Sequence, residues 1–437
     1  MNNNISETNI NNRKCETSRF QKWSSRLVSF VVGQGSVQLL NLISGFLLVR
    51  WLTVKDYAAY SLVTGFQGSI GVLVELGLGS SIVALAAGRT DPQVIGTYIC
   101  STRHYRNRFF FALLPVVMVV FPILTLRQGW SVPLTAVLLG AILTTLYFQS
   151  WATYYSVPLL IYQKLVLYYR TPTILGVVRL VSSLCLYFLT LLSSVTAVWI
   201  SSLSTVAQGW LYKRHSANLI IEPLTCSPEA NKEVLGFIRP LMPSTIFFAL
   251  QGQISILLIT WYGKTGSIAE VGALGRIGQL FVMLGAFNGV VVAPYIASVA
   301  KHKLLLRYLQ VLAGAMGISV ILAVFTAISP NFLLWILGEK YNHLKSELFW
   351  MMASACIAYL TGVMWTMHSA RKWIYSWGVW AYISAVIVVQ IFGLVFMNLG
   401  TTKNVITLSL YSALVSFLVQ VAWGVVGFNK QYKTIAS

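Results

Sequence analysis

Residues 27–49 read LVSFVVGQGSVQLLNLISGFLLV, twenty-three positions without a charge between Arg26 and Arg50. At about 1.5 Å per residue this run is about 35 Å long as a helix. That crosses the roughly 30 Å hydrocarbon core of a bilayer. The run is too long for the apolar region of a cleavable signal, so it is expected to remain as a first span. Within it Gln34, Gln38 and Asn41 recur at i, i+4 and i+7, which sets three amides on one helix face. A lipid-length helix with a polar stripe is the unit from which the rest is read.

Eleven further apolar runs follow, at about 57–86, 109–126, 132–158, 172–192, 195–212, 240–262, 268–297, 308–329, 347–368, 374–397 and 405–428. The chain of 437 residues is 57% hydrophobic and 10% charged, whereas a soluble domain carries roughly a quarter charged residues. So few charges cannot cover a water-facing surface. The fold class read from this is all-α, a polytopic membrane protein of about twelve transmembrane helices in two six-helix bundles. The second and eighth runs exceed what a straight span needs and are expected to tilt or break.

The net charge of +20 would point to nucleic acid in a soluble protein. Here 22 of the 31 Lys and Arg residues fall in alternate connections, against seven in the others. This is a positive-inside pattern. It predicts a multi-pass inner-membrane protein with both termini cytoplasmic and no nucleic-acid partner. The expected divisions are a polar tail at 1–26 without a cleavable signal, a six-helix bundle at 27–212, a cytoplasmic linker at 213–239, a second six-helix bundle at 240–428, and a tail at 429–437. Six is even, so a repeat of the halves would be parallel. Lys55-Asp56-Tyr57-Ala58 starts the second run and Ala269-Glu270-Val271-Gly272 starts the eighth, each with an acidic residue beside small ones.

The five cysteines make no C-x-x-C pair, so neither a redox motif nor a zinc cage is indicated. They fall in predicted helices or cytoplasmic segments, where disulfides are not expected. No phosphate-loop or H-E-x-x-H motif occurs. Gly33-Gln34-Gly35 lies in a hydrophobic helix with no strand before it. No cofactor and no metal are expected. The histidines, His368 among them, read as membrane-surface residues at loops and helix ends. The loops on the non-basic side are short, which argues against an enzyme.

Polar groups at membrane depth carry the functional signal, because charge there is costly. Arg179 lies about seven residues into the fifth run and Arg276 about eight into the eighth. Glu75 closes the spanning part of the second. The plain alternative for both arginines is that they snorkel to the nearer interface, and for any single amide that it joins two helices. Together, two deep arginines and the Gln34, Gln38, Asn41 stripe predict a hydrated, positively biased cavity between the halves. Glu75 is the candidate for ion coupling.

The stretches 48–60 (LVRWLTVKDYAAY), 75–81 (ELGLGSS), 269–274 (AEVGAL) and 335–341 (WILGEKY) resemble the polysaccharide-transporter branch of the multidrug/oligosaccharidyl-lipid/polysaccharide exporter superfamily. The pattern is similar to Wzx-type O-antigen flippases over about 27–428. The resemblance implies two bundles around a central cavity, alternating access, and a lipid-linked oligosaccharide as cargo for lipopolysaccharide or exopolysaccharide assembly. It also implies membrane lipids and polysaccharide-polymerase machinery as neighbours. Two other readings stay open: a drug or cation antiporter of the same superfamily, and a membrane polymerase or ligase.

Overall fold

The computed structural model describes residues 32–86, 91–221 and 226–436. Among these residues every regular element is helical. The first half comprises α1 (Val32–Trp51), α2 (Val54–Glu75), α3 (Leu78–Leu85), α4 (Pro92–Arg127), α5 (Val132–Ile161), α6 (Leu165–Phe188) and α7 (Ser194–Ser216). The second comprises α8 (Pro228–Ile238), α9 (Met242–Gln251), α10 (Ile254–Tyr262), α11 (Thr265–Phe287), α12 (Ala293–Ser298), α13 (Leu304–Ile328), α14 (Pro330–Leu337), α15 (Lys345–Ala370), α16 (Ser376–Phe396) and α17 (Thr402–Ala436). The tail at 1–26 lies outside the described residues.

Eleven helical segments are long and apolar enough to cross a membrane. The sixth run read from the sequence, 195–212, forms the remaining helix α7, which is richer in hydroxyls. Those hydroxyls are satisfied inside the bundle. Ser202 Oγ donates to the Ala141 carbonyl at 3.1 Å and receives the Thr145 hydroxyl at 2.8 Å. Gly209 brings α7 against α5, where a Cβ would stand 3.1 Å from the Phe148 carbonyl.

Both over-long runs break. Leu76 and Gly77 adopt left-handed conformations (φ 41° and 77°) between α2 and α3, and a glycine is the residue that does so at least cost. The eighth run passes through a π turn at Asn288–Val292 before α12; such turns are rare and favour functional sites. The seventh run also divides, at Gly252-Gln253 between α9 and α10. Irregular backbone at this depth is tolerated only where protein or a wet cavity satisfies it.

The halves repeat one packing plan. α5 packs most extensively on α7, as α15 does on α17, with α6 and α16 in matching places beside them. The two acidic residues paired by sequence act alike. Asp56 Oδ1 accepts from the amide and hydroxyl of Ser194 at 3.0 and 2.8 Å, at the start of α7. Glu270 accepts from the Thr402 hydroxyl at the start of α17. Each carboxylate thus sits at the N-terminus of the last helix in its half, where the helix dipole favours an anion.

α4 is 36 residues long, about 54 Å, so its first turns extend past any bilayer core to meet α8. Two expectations change there. Arg106, counted from sequence as a loop cation, is almost wholly buried, with Nη2 donating to the Leu146 and Tyr147 carbonyls at 2.8 and 2.7 Å. Cys100 is carried to Cys226 with a Cα separation of 5.2 Å, and the two are disulfide-bonded. The bond was not expected from the compartment inferred for both. The helix extension brings them within the 4.4–6.8 Å Cα range that a bridge requires.

Candidate functional site

Contacts between the halves gather at the end that carries the 52–53, 128–131, 263–264 and 338–344 connections. Gln128 Nε2 donates to the Thr260 and Gly263 carbonyls at 2.6 and 3.1 Å, and its Oε1 accepts from the Thr265 hydroxyl at 3.2 Å. Arg127 lies over the Trp261 ring at 4.7 Å, and Arg50 over Trp335 at 4.8 Å. The Tyr57 hydroxyl donates to the Gly272 carbonyl at 3.2 Å. α2 and α11 meet most closely there: a Cβ on Gly272 would stand 2.3 Å from Ser61 Oγ. The named bonds close this end as a seam.

Below the seam lies a cavity of about 220 Å³ lined by α1, α2, α6 and α11. Arg276 and Arg179 both reach it, with Gln38, Asn41, Tyr60 and Gln279. Arg276 is held from three sides. Its Nε donates to the Tyr57 hydroxyl at 3.2 Å, its guanidinium covers the Tyr60 ring at 5.4 Å, and it runs past Gly45 of α1. A Cβ on Gly45 would meet its Cδ at 3.4 Å. Arg179 crosses from α6 and donates through Nη2 to the Asn41 side chain, while its Nε makes no hydrogen bond to the described residues. Among the described residues no carboxylate lines the cavity.

Four of the five cavity residues expected from sequence therefore share one space. Gln34 does not line it, since it stands one turn nearer the N-terminus of α1 than Gln38. Tyr60 and Gln279 were not singled out for the cavity. Their signal was local, since Tyr60 follows Tyr57 and Gln279 follows Arg276 by one turn, but pairing them needed the register of the two helices. Arg106 was missed because the run before 109 is polar enough to resemble a loop.

Glu75 lies elsewhere, at the end of α2 inside the first half. It shares a small cavity of about 10 Å³ with Arg106, Gln149 and Tyr154, about the space of one water. Arg106 Nε and the Tyr154 hydroxyl are buried there with no partner among the described residues. His368, read as a surface residue, is instead fully buried in the last turn of α15, because Tyr308 of α13 and Gln420 of α17 close over its ring. Among the described residues no cluster could hold a metal ion.

Lys340 gives the seam a titratable strut. Its Nζ donates to the Arg50 carbonyl at 3.4 Å and to the Leu52 carbonyl, at the C-terminal end of α1. Burial pushes its pKa down from 10.5 to about 8. In an opened seam the amine returns to water and to its ordinary value. The closed form then binds fewer protons between pH 8 and 10.5, so raising the pH through that window favours closure, and below about pH 8 the effect is flat. Spin labels at Lys55→Cys and Lys264→Cys should report a growing short-distance population as pH rises from 8 to 10. Lys340→Met should remove that dependence, and a flat wild-type profile would deny the strut its role.

No protein-family profile matches the chain, and no curated protein matches it in sequence. Solved structures do match. The lipid II flippase MurJ in an inward closed conformation aligns at a TM-score of 0.64 with 14% identity, over 93% of this chain and 98% of MurJ. A MATE transporter solved in complex with MaD5 aligns at 0.62 with 16% identity, over 93% and 95%. An inward-facing multidrug resistance MATE transporter of the MOP superfamily aligns at 0.58 with 15% identity, over 92% and 99%. The chain has the MATE and MurJ fold. With both chains covered almost end to end, the likeness extends over the whole helix arrangement.

Proposed function

We propose that the chain is a flippase that moves an undecaprenyl-diphosphate-linked oligosaccharide across the bacterial inner membrane by alternating access, in O-antigen or exopolysaccharide assembly. The observation that carries this reading is the convergence of Arg179 and Arg276 with neutral amides, and no carboxylate, in one cavity at the junction of the halves. A diphosphate must cross about 30 Å of hydrocarbon. Fixed cations in a hydrated cleft lower that barrier, while amides both donate to and accept from sugar hydroxyls. That one structural relative is a lipid II flippase agrees with such a cargo. A cation antiporter would instead line its cavity with carboxylates, and a polymerase or ligase would need a catalytic cluster.

In this reading 27–212 and 240–428 are the two moving bundles, 213–239 is their cytoplasmic link, and the closed seam is periplasmic. Glu75, in its one-water cavity beside Arg106, is the carboxylate that would carry a coupling proton. Proteoliposomes test the cargo. Lipid-linked oligosaccharide placed in the inner leaflet should become accessible to an external glycosidase only when the protein is present, while ethidium should not be transported. The opposite result would favour the antiporter.

Orientation has its own test. With the Cys100–Cys226 bond first opened by a permeant reductant, an impermeant maleimide should leave Cys226 unlabelled in intact cells and label it after permeabilisation. Labelling in intact cells would put the link outside and reverse the assignment of the seam.

A further inference from the structure

The second half holds a larger cavity of different chemistry. It measures about 440 Å³ and is lined by Ser244 and Phe248 of α9, Thr361, Gly362 and Trp365 of α15, Tyr382 of α16 and Gln420 of α17. Small-molecule pockets run from about 300 to 1,000 Å³. Among the described residues no charged side chain lines this one. Three aromatic rings form a continuous wall. Phe248 stands 5.4 Å from Tyr382 and 6.4 Å from Trp365, centroid to centroid.

One polar group is built into that wall. Gln420 is 2% exposed, and its Oε1 faces His368 Nδ1 at 2.9 Å. That nitrogen therefore carries the proton, and His368 Nε2 accepts from the Tyr308 hydroxyl at 3.0 Å. Tyr308 lies parallel to the imidazole, 5.9 Å between centroids. The relay fixes the Gln420 amide so that its NH₂ is the free end. That nitrogen makes no hydrogen bond to the described residues, and the residue lines the cavity. The amide is held at its oxygen by His368, which leaves its NH₂ as the donor that the cavity offers to an acceptor on a ligand.

We infer that this cavity is a glycan subsite, which takes a neutral sugar ring of the lipid-linked cargo while the arginine cavity holds the diphosphate. The inference rests on the flippase reading and deepens it. The C–H face of a sugar ring packs on the aromatic wall, while its hydroxyls accept from the Gln420 NH₂ and donate to the Ser244 and Thr361 hydroxyls, whose own protons serve the Leu241 and Ile357 carbonyls. The absence of charge in the lining excludes the diphosphate itself. A polyprenyl tail would bury the Gln420 donor against hydrocarbon, so it fits this wall worse than a sugar does. The cargo is then gripped at two chemically distinct points, one at the junction of the halves and one inside the second half, and neither alone has to bind tightly.

The test uses the full chain in nanodiscs, titrated with sugar-free undecaprenyl diphosphate and with lipid-linked oligosaccharides extracted from its native host. The wild type should bind the glycan-bearing lipids at least about tenfold tighter, a margin of about 1.4 kcal/mol. Gln420→Leu and Trp365→Leu should each shrink that margin to within about twofold and leave the sugar-free lipid unchanged. Gly362→Leu gives a third, milder probe. Nothing stands within 4 Å of the position its Cβ would take, so the side chain fills the cavity without displacing a neighbour, and it should remove the margin in a protein that is otherwise intact. Arg276→Ala should weaken both ligands and keep the margin. If the wild type shows no margin, or if the three cavity variants keep it, the subsite is wrong. If those variants weaken the sugar-free lipid equally, the occupant is the tail and the subsite is again wrong. If sugar-free lipid ignores Arg276, the diphosphate reading fails instead, and the margin still reports on the sugar.

Discussion

Arg276→Ala is expected to lower transport of lipid-linked oligosaccharide about 10- to 100-fold at unchanged membrane abundance. The size follows from what the side chain does. A hydrogen bond to a charged group contributes about 1.5–3 kcal/mol, and each 1.4 kcal/mol is a factor of about ten. The alanine removes the cation that faces the cavity from α11 and leaves Arg179 as the remaining positive charge there. Arg276→Lys keeps the charge but loses the planar fork, so its loss should be intermediate. Proteoliposome rates for the three proteins, each normalised to inserted protein, measure this.

The same arginine also touches the seam, since its Nε donates to Tyr57, whose own hydroxyl donates to the Gly272 carbonyl. Loss of transport in the alanine variant could then come from a weakened seam rather than a missing cation. Tyr57→Phe separates the two. It deletes the hydroxyl that links Arg276 to the seam and leaves the guanidinium in place over Tyr60. The cargo reading expects Tyr57→Phe to keep most transport. Equal loss in both variants would make Arg276 a strut and remove the observation on which the proposed function stands.

Why some of this was legible and some was not comes down to range. The amides of α1 are three or four residues apart, so helical period alone placed Gln38 and Asn41 on one face, and the depth of Arg179 and Arg276 followed from counting along apolar runs. The pairing of Asp56 with Glu270 was also local, and both accept from the first residue of the last helix of their half. What escaped was set between helices or by extension beyond lipid. α4 outruns the bilayer, which buries Arg106 and brings Cys100 to Cys226. The burial of His368 depends on α13 and α17 closing over it, and composition carries no trace of that. The glycines of α2 and α11 serve close helix approach unequally, which their spacing alone does not tell. Gly65 and Gly68 of α2 receive the side chain of Gln253, whose atoms approach their Cβ positions to 3.2 Å. Gly275 and Gly278 of α11 face open space, whereas Gly272 makes the tightest contact of the seam.

That last contact leads to the second large effect. Gly272→Leu should abolish transport by wedging the seam. A Cβ at this position would stand 2.3 Å from Ser61 Oγ, 2.7 Å from its Cβ and 3.4 Å from the Tyr57 ring, and the remaining leucine atoms have nowhere to go while α2 and α11 stay in register. Ser61 and Tyr57 are both buried, so neither can swing into solvent. Overpacking of this kind costs typically 1–3 kcal/mol. About 2 kcal/mol against the closed form shifts the open–closed equilibrium about thirtyfold. Spin labels at Lys55→Cys and Lys264→Cys should then report a longer distance, and cycling should stop with the seam held open. Gly272→Ala should show the same effect more weakly, and Ser61→Gly in that background should restore transport, because it removes the two atoms nearest the added methyl. A Gly272→Leu protein that keeps the short distance and transports normally would mean that the two helices separate at another point, and that this contact is packing without a gating role.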